Sequence, residues 1–208
     1  VYGIPPEGKA SEATATRPIN PYGSSKLMSE CILRDLCAAT DMRFVILRYF
    51  NVAGSDPGCR IGQSTEKATL LVKVACEAAV GDRSHVAIFG TDFDTPDGTG
   101  VRDYIHVVDL AQAHLAALEL TETTVGVQAI NVGTGRGYSV LEMIRALEKA
   151  SGKPVPYKVV ARRPGDVATS LAEPTHATKQ LGWQAHRDLD AMCKDAWAWQ
   201  SYLAQKNS

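Results

Sequence analysis

The chain has 208 residues, of which 45% are hydrophobic and 22% charged, and its formal net charge is -1. This composition can build a substantial apolar core in one large or two small domains. The near-neutral charge argues against nucleic acid or an anionic membrane as the main partner, and no apolar run approaches the roughly 18 to 20 residues that span a bilayer.

Apolar runs that suit strands alternate along the chain with longer segments of helical period. This pattern predicts an α/β protein with a mainly parallel sheet. The predicted elements are, in chain order, helix 22–39, strand 43–48, helix 68–80, strands 86–89 and 102–106, helix 107–120, strand 129–132, helix 140–150, strand 157–160 and helices 174–181 and 189–203. The polar segments 55–63 and 90–100, rich in Gly, Pro and Asp, are predicted to be loops beside a ligand.

A glycine cluster at 133–137 follows a predicted strand and precedes a predicted helix, as a nucleotide-binding loop would. Its spacing is GxGxG, and Tyr138 occupies the position where the last glycine of GxGxxG would fall. Ser139 and Glu142 have the spacing of a capping box that begins the next helix. We therefore assign this cluster a structural role.

Tyr22 and Lys26 lie four residues apart in the segment NPYGSSK, just after a proline that suits the first turn of a helix. A tyrosine phenol is ordinarily a poor base at neutral pH, but a cation one turn away favours the phenolate. The pair can therefore act as a general base toward a sugar hydroxyl. Taken alone, this spacing is more typical of a packed phenol beside a solvated ammonium, and the rest of the chain decides between the two.

Three further segments accompany this pair: LRYFNVAG at 47–54, DGTGVRDYIHV at 97–107 and RRPGD at 162–166. In this order and at these separations, they resemble the UDP-glucose 4-epimerases of the extended short-chain dehydrogenase/reductase family. The resemblance implies part of a doubly wound, Rossmann-like sheet with a smaller C-terminal α/β substrate domain. It assigns residues 1–54 to the NAD-binding domain and 55–208 mostly to the substrate domain, with 101–134 returning to the Rossmann sheet.

The 208 residues contain no GxGxxG fingerprint, and they open on Val1-Tyr2-Gly3, which resembles the interior of a family motif. The resemblance thus implies that the chain corresponds to the C-terminal three-fifths of such an enzyme. We expect this polypeptide alone to be inactive, to lack tight NAD binding, and to be poorly stable or self-associating.

The activity that the resemblance implies is the NAD-dependent interconversion of UDP-glucose and UDP-galactose through a 4-keto sugar. Tyr22 would move the O4 proton, and Lys26 would favour the phenolate and bind the nicotinamide ribose. Tyr49 and Phe50 would lie beside the nicotinamide, and Asn51 would bind the substrate diphosphate.

Arginine suits a diphosphate because its guanidinium is planar and always charged. The resemblance implies that Arg102 and Arg163 grip the diphosphate and that Asp166 binds the uridine ribose. Ser170 falls where relatives limit the room around the sugar C2 substituent. A small residue there is compatible with N-acetylhexosamines as well as plain hexoses.

Two other readings remain open. The chain could belong to another nucleotide-sugar reductase relative, a 4,6-dehydratase or a decarboxylase, which shares the Tyr-x-x-x-Lys pair. It could also be a non-catalytic binding module that acts with a separately supplied partner.

The resemblance implies a homodimer in the intact enzyme, formed by the Tyr22 helix and the helix near residues 68–80. Five cysteines without metal-binding spacing indicate reduced thiols, and hence a cytoplasmic protein with no metal site.

Overall fold

The computed structural model describes residues 1–206, which form a mixed α/β fold. A single 3-10 turn at Pro6–Gly8 precedes the first strand. The elements are β1 (Lys9–Ala10), α1 (Pro21–Ala39), β2 (Phe44–Tyr49), β3 (Asn51–Ala53), α2 (Leu71–Val80), β4 (Val86–Phe89), β5 (Val101–His106), α3 (Val107–Thr123), β6 (Val127–Val132), β7 (Gly137–Ser139), α4 (Val140–Ser151), β8 (Tyr157–Val160), β9 (Thr169–Ala172), α5 (Thr175–Leu181) and α6 (Leu189–Lys206). Every helix and strand expected from the sequence is present, so the α/β class is confirmed.

Local sequence signals explain where two of the helices begin. The Asn20 side chain accepts a hydrogen bond from the Gly23 N–H at 2.8 Å, and Pro21 occupies the first turn of α1. Ser139 and Glu142 form the expected capping box at the start of α4. These caps satisfy backbone N–H groups that the first turn of a helix cannot pair.

The strands pair mainly in parallel. The largest sheet has the order β1-β9-β5-β3, and β7 joins β5 as its antiparallel neighbour. Separate parallel pairs are formed by β2 with β6 and by β4 with β8. The carboxyl ends of β2 and β3 lead into the segments selected as ligand-binding at 49–51 and 55–63, whereas Arg102 lies near the amino end of β5.

Two apolar cores hold the helices and strands together. The first packs α2, α4 and α6 against β4, with Ile88, Met143 and Leu147 almost fully buried. The second packs α3 and α5 against β6 and the end of β5, around Ile105, Ile130 and Trp183. Helix α2 packs within the chain against α4 and α6, and none of its residues is exposed, so its expected contact with a dimer partner stays a prediction.

Four short strands were not expected from the sequence: β1, β3, β7 and β9. They contain two to four residues, which is too few for a two-residue alternation to be recognised. Tertiary pairing forms them: β3, β7 and β9 pair with β5, and β1 pairs with β9.

The glycine cluster after β6 encloses a carboxylate of the protein itself. Asp103 is fully buried and accepts hydrogen bonds from the N–H groups of Thr134, Gly135 and Ala172 at 2.9, 2.9 and 3.1 Å. The Thr134 hydroxyl adds a fourth bond at 2.7 Å. The loop therefore serves an internal anion, in agreement with its structural assignment.

Candidate active site

Three distant segments meet around a cavity of about 190 Å³. Its wall includes Tyr22 from the first turn of α1, Arg102 from β5 and Asp166 from the loop between β8 and β9. The structure thus brings the expected acid-base residue to the same cavity as two residues expected to bind the nucleotide. Val1 and Gly3 complete one side of it.

Tyr22 and Lys26 lie one above the other on α1. The Lys26 Nζ is 5.4 Å from the centroid of the Tyr22 ring, and the Tyr22 side chain is 72% exposed. This geometry is a cation–π contact between the ammonium and the ring. The exposed phenol is accessible to a substrate hydroxyl.

Arg102 is a half-buried cation that forms no ion pair with any carboxylate of residues 1–206. Its Nη1 donates instead to the carbonyl oxygens of Val101 and Ala168, at 2.8 and 3.3 Å. Burial lowers the pKa of its guanidinium, an effect that the nearby Asp166 partly opposes. A cation in this condition is stabilised by an incoming anion such as a diphosphate.

Arg163 and Asp166 lie together beside Arg102. The Arg163 Nε donates to the Asp166 carboxylate at 3.0 Å, and its guanidinium lies 4.3 Å above the centroid of the Phe89 ring. The side chain of Arg163 is 57% exposed, so it can exchange partners when a ligand arrives. Asp166 is half-buried and lines the cavity.

The remaining expected site residues lie outside the wall of this cavity. Tyr49 ends β2, is half exposed, and has its ring centroid 6.0 Å from that of His114. Phe50 follows it, and Asn51 begins β3 opposite Tyr104. Ser170 lies on β9 beside Arg102 of β5. The cavity therefore unites Tyr22 with only part of the expected set.

Several residues of the site were not selected from the sequence. Gly3 has φ +72°, and an added Cβ would approach the Arg17 carbonyl oxygen to 2.0 Å, so this wall of the cavity requires glycine. Arg162 donates from Nε to Asp92 at 2.7 Å and stacks over Phe93, which ties the 90–100 loop to the Arg163 segment. Neither the positive φ of Gly3 nor the contact between Arg162 and Asp92 can be recognised from the neighbouring sequence.

A second cavity, of about 300 Å³, lies between the loop after β3, the start of α2 and α6. It is lined mainly by apolar groups, and none of the site residues expected from the sequence contributes to it.

Among residues 1–206, no helix is long and apolar enough to cross a membrane. No group of three or more His, Cys, Asp or Glu side chains within the same residues is arranged to hold a metal ion.

Known proteins match nearly the whole of this chain. A family model described as GDP-mannose 4,6 dehydratase matches residues 1–196. The UDP-glucose 4-epimerase of Bacillus subtilis strain 168 is 50% identical over 203 residues, which are 97% of this chain and 60% of that protein.

Solved structures of 4-epimerases have a similar fold. UDP-glucose 4-epimerase from Bifidobacterium longum in complex with NAD+ and UDP superposes with a TM-score of 0.92 and 46% identity, covering 97% of this chain and 61% of that one. The UDP-Glc/GlcNAc 4-epimerase from Campylobacter jejuni has a TM-score of 0.77 and 44% identity, covering 97% and 61%. The chain thus spans about three-fifths of the length of the relatives it matches.

Proposed function

Because the chain belongs to the extended short-chain dehydrogenase/reductase family, within which its relatives are UDP-glucose 4-epimerases, we propose that it carries the sugar-nucleotide site and the acid-base pair of such an epimerase. The reaction would interconvert UDP-glucose and UDP-galactose through a 4-keto sugar.

One observation carries this proposal. Tyr22 lines the same cavity as Arg102 and Asp166, although about 80 residues separate the first two along the chain and about 60 the last two. Arg102 is half-buried there and forms no ion pair with a carboxylate among residues 1–206. A phenol beside a cation that lacks a counter-ion suits a hydroxylated, anionic substrate.

The residues present fit the nicotinamide end of NAD. Tyr22 and Tyr49 are both exposed near the ends of α1 and β2, and the Lys26 ammonium accompanies Tyr22. Lys26 would donate to the nicotinamide ribose, while Tyr49 and Phe50 would flank the ring. When bound, NAD would supply the hydride acceptor and donor.

The chain's own residues handle the protons. The Tyr22 phenolate takes the proton from the sugar O4 during oxidation, and the same phenol returns it on reduction. Lys26 stabilises the phenolate before the first of these events and again after the second, and Tyr22 holds the proton as a neutral phenol in between. Inversion at C4 needs the 4-keto sugar to present its other face, while the diphosphate stays held.

Arg102, Arg163 and Asn51 hold that diphosphate, and Asp166 accepts hydrogen bonds from the uridine ribose. Ser170 leaves room beside the sugar C2, so we include the N-acetylhexosamine pair among the substrates. The relative from Campylobacter jejuni, described as acting on both sugar types, supports this extension.

We further propose that residues 1–54 and a returning segment at 101–134 belong to the NAD-binding domain, and that 55–208 otherwise form the substrate domain. Support comes from β2, which pairs with β6 and packs against α3, apart from the core of α2, α4 and α6. The intact enzyme would be a cytoplasmic homodimer that uses the apolar face of α1.

A second candidate follows from the family model, whose description is a GDP-mannose 4,6 dehydratase. A dehydratase or a decarboxylase would use the same tyrosine and lysine with an additional acid and base. Epimerisation leaves the mass of the nucleotide sugar unchanged, whereas these reactions remove water or carbon dioxide.

The test is fragment complementation. The purified chain receives UDP-galactose and NAD, with or without the part of the Bacillus subtilis epimerase that lies outside the alignment. We expect no turnover by the chain alone, and UDP-glucose of unchanged mass when the second fragment is present. Lys26→Met in this chain should abolish the turnover seen with the second fragment, and the exposed control Lys158→Met should not.

A product lighter by one water would identify a dehydratase instead. Full activity of the chain without any added fragment would contradict the expected dependence on a second part.

A further inference from the structure

Helix α1 makes few apolar contacts with the other residues that the structure describes. Of its 19 residues, only Gly23 and Glu30 are buried. Met28 and Ile32 are 64% and 65% exposed. Apolar packing therefore contributes little to fixing the rotation of α1 about its own axis, and the contacts of its one buried carboxylate must contribute more.

That carboxylate is held by a two-bond contact with strand β2. Arg48 donates from Nε to Glu30 Oε1 at 2.8 Å and from Nη2 to Oε2 at 2.6 Å. The two side chains are 8% and 6% exposed. Two parallel N–H to carboxylate bonds fix both direction and distance, so they specify how α1 lies on β2.

The arginine is itself fixed from the other side. Its Nη1 donates to the Tyr2 hydroxyl at 2.9 Å, and that hydroxyl donates to Asn131 Oδ1 at 2.6 Å. Asn131 is the register partner of Arg48 on β6, and its amide also donates to the Ala10 carbonyl oxygen. The network therefore connects α1 to β2, β6 and the first ten residues.

Burial raises the pKa of the Glu30 carboxyl, but the bonds and charges of Arg48 and Arg34 outweigh burial and hold that pKa below its ordinary value. The pair is thus charged. A buried ion pair is seldom more stabilising than well-packed apolar residues of similar size, because both charges lose their hydration. Stability alone does not explain this arrangement.

The location of the pair provides an explanation. Glu30 lies one helical turn beyond Lys26, which itself lies one turn beyond Tyr22. Arg48 directly precedes Tyr49, Phe50 and Asn51. A rotation or shift of α1 on β2 would therefore move Tyr22 relative to Arg102 and Asp166.

We propose that Glu30 is a positioning residue, which through Arg48 holds α1 so that the Tyr22 phenol faces the sugar of a bound UDP-hexose. This inference rests on the proposed function. It adds a residue that acts on the reaction without touching the substrate.

The test uses the full chain labelled with 3-fluorotyrosine, in which the loss of one fluorine resonance in Tyr22→Phe identifies Tyr22. UDP and UDP-glucose are titrated separately. We expect UDP-glucose to shift the Tyr22 resonance of the unsubstituted chain more than UDP does, because only the former carries a sugar.

The decisive variant is Glu30→Met combined with Arg48→Met, which removes both charges together and leaves no buried ion unpaired. Its affinity for UDP should be retained, because Arg102, Arg163 and Asp166 do not lie on α1. The sugar-dependent shift of Tyr22 should be lost. Arg34→Met, which removes only the more exposed partner of Glu30 at 2.9 Å, should keep the shift.

A sugar-dependent shift that persists in the double variant would overturn this inference alone. So would a double variant whose circular dichroism shows it unfolded, because the pair would then hold the fold itself. Absence of UDP binding to the unsubstituted chain would overturn the proposed function and this inference with it.

Discussion

Arg102 and Ser170 are register partners on the neighbouring parallel strands β5 and β9. Partners in a parallel pair project to the same side of the sheet. The cation expected to hold the diphosphate and the small residue expected to border the sugar therefore share one face. We expect substitutions at position 170 to alter sugar choice and substitutions of Arg102 to alter diphosphate binding.

Arg102→Lys should weaken UDP binding about tenfold, because lysine keeps the charge but loses the planar fork that binds two phosphate oxygens. Isothermal titration calorimetry measures this change. Arg60→Lys is the matched control, since Arg60 is 81% exposed and pairs with Asp56 in a loop. Equal losses in both variants would mean that Arg102 has no particular role.

Ser170→Tyr should reduce binding of UDP-N-acetylglucosamine while leaving binding of UDP-glucose nearly unchanged. The larger side chain would occupy the space beside the sugar C2 that an N-acetyl group needs. Competition against a fluorescent UDP analogue gives both affinities. If the two sugars lose affinity in parallel, position 170 does not border C2.

The His106 pair should make the folded state sensitive to acid. The ring is buried; its Nδ1 accepts from the Val108 N–H at 3.1 Å, and Nε2 lies 3.1 Å from Asp195. Burial lowers the pKa of His106, and Asp195 only partly opposes this. Between that lowered value and the ordinary 6.5, the unfolded chain binds more protons, so stability falls as the pH falls.

Urea unfolding at about pH 7.5 and about pH 5.5 measures this effect. His106→Asn keeps an acceptor for the Val108 N–H but cannot titrate, so it should lose less stability on acidification than the unsubstituted chain. The other histidines contribute equally to both proteins. An identical pH dependence would exclude His106 as the cause.

The five thiols should differ in reactivity. Burial raises the pKa of both Cys76 and Cys193 to about 12, and their side chains are almost fully buried. Cys31, Cys37 and Cys59 are exposed or half-buried. Iodoacetamide at neutral pH should therefore modify only these three in the native protein and all five after unfolding, as peptide mass spectrometry would show. Rapid native labelling of Cys76 would contradict the burial.

Self-association should depend on the apolar face of α1. Ile32→Glu adds a charge at a position that is 65% exposed, so the fold should tolerate it while apolar contact between copies weakens. Sedimentation velocity should show a smaller associated fraction than for the unsubstituted chain. Asp35→Glu on the same helix is the matched control, and an unchanged distribution for Ile32→Glu would exclude this face as the contact.

Elements with strong local signals could be predicted from the sequence. The Asn20-Pro21 start of α1, the capping box at Ser139 and the whole of β4 are examples. The wrong spacing of the 133–137 glycines correctly excluded a nucleotide loop. Its true occupant, Asp103, could not be identified, because that contact spans about 30 residues and has no motif.

The site was predictable only in part. Tyr22, Arg102 and Asp166 each belong to a recognisable segment, so the resemblance selected them. The Glu30 to Arg48 contact was not recognised, because a glutamate in a helix usually faces solvent and its burial depends on tertiary packing. The sequence also could not show which of the expected residues line one cavity, because that grouping depends on how distant segments pack in the fold.

The most direct test of the central claim is calorimetric titration of UDP into the purified 208-residue chain, followed by the same titration of Arg102→Met. The account predicts one UDP bound per chain and a large loss of affinity in the variant. No binding to the unsubstituted chain, or equal binding to both proteins, would contradict the assignment of this cavity as the sugar-nucleotide site.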